Sequence, residues 1–382
     1  MTTKKTAPSK KENNFLRILK RIGHIFFSSV RRIVNFAFAC LLLLGVTAQF
    51  ISPESSLLPA FLGLGYPFLL LPIIAFTIYS VVRRSWGSLV ANILLLVVVA
   101  PTTFTYFPIH RESTPGRRPN ELKVLSLNTQ AFGYEKHLPG KPNASLAYIK
   151  KEGADIVCLQ EALLIDDKRN YVSEATLRSF FPEYPYIDRH LAQKAGGSGL
   201  VLLSRYPIQE VRRLPISSTF NGGMVYRLLI NKKLLTVVNL HLESFRLTNK
   251  DAEKYLDLVK TADTQALRKQ MGQKLGPAFR KRGEQVDILR MDPAFTDSEY
   301  LIIAGDFNDT PISYTHYRLA EGRVDAFRHS GSGFGFSFNY NHMGFRLDHI
   351  IHSKNIHSRF CKVDKGATIS DHKPISCYIT LE

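Results

Sequence analysis

Apolar positions are spread unevenly along the chain. Residues 33–51 carry no charged side chain. A second uncharged stretch covers 55–82, and a third covers 85–109, most apolar at 89–100. A bilayer's hydrocarbon takes about 20 largely apolar residues to cross, so the pattern predicts three transmembrane helices within 33–109. Pro67 and Pro72 fall in the second stretch, where membrane helices tolerate proline. Three close-set spans do not fit a cleaved signal peptide. After residue 120 the apolar runs shorten and read as buried strands. They fall at 122–128, 155–161, 199–204, 234–240, 300–304, 346–351 and 376–380, the third of them coming after the glycines Gly196, Gly197 and Gly199. Residues 145–152 and 246–291 are helical in composition.

Charge sharpens these boundaries. Residues 1–32 carry nine basic residues and one acid, Glu12. Residues 1–14 read as a disordered cytosolic tail, and 15–32, mixed basic and apolar, as a segment lying along a membrane surface. Residues 110–120, with Pro115, Gly116 and Pro119, read as a linker, and 121–382 as the body. The link Ser52-Pro53-Glu54 has no base, whereas the next link is Arg83-Arg84. Basic residues stay on the cytosolic side, so the N-terminus is expected in the cytosol of an inner-membrane protein and the body outside it. Arg111, Arg117 and Arg118 oppose this mildly. Of the total charge of +18, residues 111–382 hold 39 basic and 30 acidic residues, or +9. That moderate excess suits an anionic substrate or a membrane surface without requiring nucleic acid. The four cysteines show no zinc spacing, and buried free thiols are expected, although Cys361 and Cys377 fall in two C-terminal strands that would have to be neighbours to pair.

The strands end alike. One ends on Asn128, the next on Gln160-Glu161, then Asn239-Leu240-His241, Asp306-Phe307-Asn308, Asp348-His349, and Asp371-His372 before the last. Buried ionisable groups are costly unless paired or metal-bound. Their repetition at the ends of apolar strands points to one shared polar site at one rim of the body. A carboxylate there can handle a proton, and an amide can hold an anion.

In this order the motifs resemble the endonuclease/exonuclease/phosphatase superfamily, which includes DNase I-like and exonuclease III-like nucleases, neutral sphingomyelinases and inositol polyphosphate phosphatases. The matching stretches are Ser126-Leu127-Asn128, Leu159-Gln160-Glu161, Leu203-Ser204-Arg205-Tyr206-Pro207-Ile208 after Gly199-Leu200, Asn239-Leu240-His241-Leu242, Gly305-Asp306-Phe307-Asn308, Arg346-Leu347-Asp348-His349-Ile350 and Ser370-Asp371-His372-Lys373-Pro374. The resemblance implies an α/β fold, a four-layer α/β sandwich of the DNase I-like kind, here preceded by three transmembrane helices.

It also implies roles. Glu161 is the main ligand of a divalent cation, with Asn128 beside it and Asp371 nearby. Mg²⁺ is the implied ion, with Mn²⁺ as the alternative, and the oxygen donors agree with that chemistry. Asp306 aligns and deprotonates the attacking water. Asn308, His241 and His372 contact the phosphate, and Asp348 orients His372 and keeps it cationic. His349 reads as a packed ring, Asp309 as a turn residue, and His137, His190, His316, His329 and His342 as ordinary polar residues.

Residues 246–290 carry eleven basic and six acidic residues. They read either as a solvated helical face or as a border of the site that meets an anionic substrate or lipid headgroups. The run 331–338, rich in Gly and Phe, reads as a loop that either packs on the body or offers its rings to a base or to lipid. The sequence therefore points to a membrane-anchored, divalent-metal-dependent phosphoesterase acting by in-line attack of water on a lipid headgroup, an inositol phosphate or a sugar phosphate. An anchored nuclease acting on DNA or RNA is the first alternative, and a non-catalytic binding protein on the same fold the second. Expected partners are the phosphoester substrate and membrane lipids.

Overall fold

A computed structural model describes residues 10–110, 116–138, 140–165, 171–191, 198–216, 218, 222–245, 264–340 and 343–382. The expectations for residues 1–9, Arg111, Pro115, Gly196, Gly197, 246–263 and His342 lie outside the described residues.

Fourteen strands among the described residues, β1 (Leu122–Asn128), β2 (Ile156–Leu163), β3 (Tyr186–Leu191), β4 (Ser198–Ser204), β5 (Ile208–Arg213), β6 (Gly222–Ile230), β7 (Lys233–His241), β8 (Tyr300–Asp306), β9 (Val324–Asp325), β10 (Phe338–Tyr340), β11 (Met343–Phe345), β12 (Asp348–His352), β13 (Ile356–Val363) and β14 (Ile375–Leu381), build the body. One six-stranded sheet runs β13-β14-β1-β2-β4-β3 and the other β5-β6-β7-β8-β12-β9, with β10-β11 as a separate pair. Each large sheet is mostly antiparallel but holds one parallel pair, β1 with β2 and β7 with β8. The sheets face each other across a core that includes Val124, Ile156, Leu202, Tyr226, Val237, Ile302 and Ile350. The helix Ala144–Glu152 covers the outer face of the first sheet and the long helix Thr264–Leu289 that of the second. The body is therefore the expected α/β sandwich, with central strands that are apolar on both faces because both faces are covered.

Strands β3, β5, β6, β9, β10 and β11 lie outside the strands expected from the sequence. β5 is an edge strand whose Gln209, Glu210 and Val211 are exposed, so its pattern is that of a surface. Cys361 and Cys377 lie on the adjacent strands β13 and β14, and both are buried free thiols.

The N-terminal part differs from the expectation of three uniform spans. Helix α1 (Lys10–Val46) is continuous, so residues 15–32 extend the same helix and do not form a separate surface segment. Two helical stretches, Leu19–Gln49 and Trp86–Tyr106 (α4), are long and apolar enough to cross a membrane. The expected second span is broken into α2 (Leu57–Leu64) and α3 (Tyr66–Val82), bent by 65°. Gly65 closes α2, and Pro67, which has no N–H to offer the preceding turn, opens α3. α1 and α4 run in the same direction, since Asn35 bonds Asn92 at 2.9 Å and Gln49 bonds Thr102 at 3.1 Å. α3 runs opposite to them, with Tyr66 bonded to Thr103 at 2.7 Å near its start and Arg31 bonded to Tyr79 at 3.0 Å near its end.

The body sits on the ends of these helices. Phe61 of α2 meets Phe279 edge-on at 5.4 Å, and Phe50 meets Tyr317 at 5.0 Å. The fully buried Arg346 donates to the carbonyls of Thr105 (2.6 Å) and Tyr106 (3.4 Å) in the last turn of α4. A cation at a helix C-terminus meets the unpaired carbonyls and the negative end of the helix dipole. The run 331–338 packs here too. Phe334 lies 4.6 Å from Phe107, and Gly333 donates to Pro108.

Candidate active site

The rim is built by the carboxyl ends of the two parallel pairs. Register places Asn128 beside Gln160 in one sheet and His241 beside Asp306 in the other, with Asp348 opposite Asp306 on the next strand. Three local devices bring their side chains inward. β2 bulges between Leu159 and Ala162, and Glu161 there has φ of 49°, which turns its carboxylate out of the ladder. Gly305 has φ of 149°, and a Cβ there would sit 1.9 Å from the Leu240 carbonyl oxygen, so only glycine lets β8 run this close to β7. Asn308, at φ of 53°, folds back so that its N–H reaches Asp306 Oδ1 at 2.8 Å.

The buried residues Asn128, Asp306, Asp348, His241 and His372 converge. His372 Nδ1 donates to Asp348 Oδ2 at 2.8 Å, and its Nε2 lies 3.7 Å from Asp306 Oδ2. Asn128 Nδ2 donates to that same Asp306 oxygen at 3.1 Å. His241 Nε2 stands 3.6 Å from both Asp306 Oδ2 and Glu161 Oε1, and it has no hydrogen-bond partner; neither has Asp348 Oδ1. Buried polar atoms without partners are rare in folded proteins, and here two of them mark the cleft. Burial alone would lower the His372 imidazole, but the Asp348 and Asp306 carboxylates outweigh it and raise the value to about 10. Burial pushes Asp306 up to about 6; His372 opposes this and Asp348 adds to it.

The remaining expected residues fall as follows. Glu161, the acid on β2, is partly open, with its side chain 40% exposed. Asp371 is exposed, on a loop pinned beside β1 by Ser370 Oγ donating to the Asn128 carbonyl (2.8 Å) and by its own N–H on Gln130 Oε1 (3.3 Å). Asn308 Nδ2 spends one hydrogen on the Leu242 carbonyl at 3.0 Å, which leaves the other for a ligand. The oxygens of Glu161, Asn128 and Asp371 are the donor chemistry of a hard divalent cation. Asp306, Asp348 and His372 also present ligand atoms within 4.8 Å of one another, though His372 and Asp348 already satisfy each other. Asp309 is a turn residue as expected. Its carboxylate takes Arg282 Nε at 3.1 Å and Thr315 Oγ1 at 2.8 Å.

Several supporting residues carry no signal in the sequence. Ser337 Oγ accepts the N–H groups of Leu347 and Asp348, both at 3.0 Å, and its carbonyl accepts Lys373 N–H, so one serine fixes both partners of the Asp–His pair. The Phe338 ring lies 4.8 Å from that of His372. Behind the rim, Gln160 bonds Asn239 at 2.7 Å, a buried amide pair that joins the two sheets. His349 is a packed ring, 5.0 Å from Phe307 and donating to the Asp309 carbonyl. His316, expected to be an ordinary polar residue, is buried and bonds Asp325 at 3.0 Å. A serine, a phenylalanine and a lone histidine are too common to stand out without their partners; only the contact identifies them.

A two-sheet α/β sandwich with a histidine–carboxylate pair and an acid-lined rim at the ends of its parallel strands defines a hydrolase fold of the phosphoester-cleaving kind. The family model described as Endonuclease/Exonuclease/phosphatase family matches residues 125–372, and the chain belongs to that family, whose members are generally phosphoester hydrolases. Residues 25–106 match a second model, a domain of unknown function (DUF8431). No curated protein matches the sequence. Similar solved structures include an endonuclease/exonuclease/phosphatase from Beutenbergia cavernae, 16% identical, covering 69% of this chain and 72% of its own at a TM-score of 0.47. The human Nocturnin catalytic domain with bound sulfate is 16% identical, covering 69% and 95% at 0.47. D. rerio TDP2 complexed with single-strand DNA product is 16% identical, covering 68% and 99% at 0.45.

Proposed function

We propose that the chain is a membrane-anchored, divalent-metal-dependent hydrolase of phosphoesters that acts on lipid headgroups or small phosphoesters. The observation that carries the reaction is the Asp306–His372–Asp348 constellation beside the partnerless His241 Nε2. Asp306, raised towards neutrality by burial, is suited to take a proton from water. Asn128 and the Asn308 N–H hold its two oxygens in place. His372, cationic and oriented by Asp348, donates from Nε2 to a phosphate oxygen as negative charge builds there. His241 Nε2 and the second Asn308 amide hydrogen complete the cradle. Glu161, Asn128 and Asp371 would hold the metal, Mg²⁺ by preference, and when bound it polarises the phosphoryl group.

Attachment rests on α1, α4 and the bent α2–α3 pair taken together as a third crossing. The body meets the ends of α1 and α4 at Phe50 and Thr105, while Arg83-Arg84 lies at the far end of α3. In the proposed topology the basic N-terminus lies in the cytosol and the body outside the cytoplasmic membrane, following the basic-residue asymmetry. Phe245, four residues beyond His241, packs on Phe279, which in turn packs on Phe61 of α2. The rim therefore lies close to the bilayer surface, within reach of lipid headgroups. An alkaline phosphatase fusion after residue 382 tests the side: an active fusion agrees, and an inactive one reverses the topology. Full-length protein in vesicles, assayed with Mg²⁺ and with EDTA, tests the reaction: headgroup or phosphate release that EDTA stops is expected. DNA or RNA nicking with steep salt dependence and intact lipids would make it an anchored nuclease instead.

A further inference from the structure

The body meets the helices at Phe50 and Thr105; a recess lies towards their opposite ends. Between α1 and α4 runs a groove of about 800 Å³. Its mouth is formed by Arg32, Ser85, Trp86 and Ser88, its middle by Asn35 and Asn92, and its inner length by Phe36, Ala39, Leu43 and Leu95. Arg32 is exposed, and no acidic side chain lines the groove among the described residues.

Donors gather at the mouth and at mid-depth of the groove. α4 begins at Trp86, and its N-cap residue Ser85 makes no side-chain cap, so the first-turn N–H groups and the positive end of the helix dipole are open to the mouth. Asn92 is only 2% exposed, yet its Nδ2 has no partner; the amide is held by Asn35 Nδ2 donating to Asn92 Oδ1. Asn35 Oδ1, an acceptor, is partnerless as well, so the amide pair leaves one donor and one acceptor unmatched. In hydrocarbon, unsatisfied polar groups are strongly unfavourable, which makes an occupant with its own polar atoms at that depth favourable.

The order along the groove fits one kind of molecule. Asn92 lies six residues along α4 from Trp86, or about 9 Å deeper at 1.5 Å per residue. A cationic, helix-capped mouth, an amide donor roughly a glycerol's length further in, and an apolar channel beyond it match phosphate, ester carbonyl and acyl chain. Inorganic phosphate would use only the mouth. We propose that this groove binds an anionic phospholipid in the leaflet opposite the catalytic body. Arg32 and the α4 N-terminus take the phosphate, Asn92 Nδ2 the ester carbonyl, and Phe36, Leu43 and Leu95 an acyl chain. The inference rests on the membrane placement proposed above but not on the reaction.

Trp86 is the only tryptophan in the chain and lines the groove mouth, so it reports on the site directly. Full-length protein is placed in phosphatidylcholine nanodiscs doped, at equal mole fraction, with brominated phosphatidylglycerol or brominated phosphatidylcholine. The expected result is severalfold stronger quenching of Trp86 by the anionic lipid. Arg32→Ala and Asn92→Leu should each abolish that preference, while Arg84→Ala, outside the groove, retains it and turnover is unchanged in all three. Excess inorganic phosphate should not compete. Equal quenching by both lipids would overturn the groove while leaving the membrane placement intact. A preference that survives Arg32→Ala and Asn92→Leu would assign it to the general basic surface and overturn the site, and competition by phosphate would overturn the lipid assignment. Quenching by neither lipid would remove the membrane placement, and the inference with it.

Discussion

At the scale of the residue, chemistry is concentrated in one imidazole. His372 is held between two carboxylates that raise it to about 10. Because its folded value lies above the ordinary imidazole value of 6.5, the pair's contribution to stability is whole below about pH 6.5 and is lost as pH rises through about 10. In a two-dimensional NMR titration, the His372 ring should therefore not titrate between pH 6 and 8. Asp348→Asn removes one of the two charges, should bring its titration down towards neutrality, and should lower kcat on the order of 10²–10³-fold. An unchanged titration in that variant would remove Asp348 from its role. Asp306 is raised as well, by burial, to about 6, so turnover should climb as pH rises through that region and the carboxylate base forms. Most of these residues are legible in the sequence, because Asp306, Asp348 and His372 each end or flank an apolar strand. Ser337 and Phe338 are not, because their roles exist only once β10 lies beside the His372 loop.

At the scale of the element, the rim depends on backbone irregularities that hydrophobic patterning does not reveal. The bulge at Glu161 and the close approach at Gly305 interrupt strands that otherwise read as regular. Gly305→Ala should separate β8 from β7 or abolish the yield of folded protein, since its Cβ would overlap the Leu240 carbonyl. A stably folded, active Gly305→Ala protein would contradict that geometry. The same reasoning explains the broken second span. Absence of charge over residues 55–82 predicts a helix, and only the Gly65–Pro67 step, a local backbone effect, divides it. Arg346 joins the two parts of the molecule. It stands two residues before Asp348, and its guanidinium closes the last turn of α4. Arg346→Met should cost on the order of 3 kcal/mol through lost charged hydrogen bonds, read as a lower Tm in detergent, and kcat should fall as β12 loosens. A variant with wild-type Tm would mean that α4 and β12 are not coupled.

At the scale of the whole molecule, the sandwich was legible because its central strands are apolar on both faces and occur in the family's order. The docking of the body on the helices was not, because its contacts pair residues far apart in the chain. Leu275 and Phe279 are covered by α2, and Phe334 meets Tyr106 and Phe107. The buried Leu275 and Phe279 side chains contribute about 1.5–3 kcal/mol each. A body cut free at residue 116 should therefore melt below the full-length protein and bind detergent through that face, as thermal unfolding of the two forms would show. The central claim is that this rim hydrolyses a phosphoester through Asp306 and His372. The most direct measurement compares full-length wild type and His372→Ala in vesicles, with Mg²⁺ and with EDTA, by release of phosphate or headgroup. Metal-dependent release that falls on the order of 10³-fold in His372→Ala, with the fold intact by circular dichroism, is the expected result. Release that continues at the wild-type rate in that variant would contradict the account.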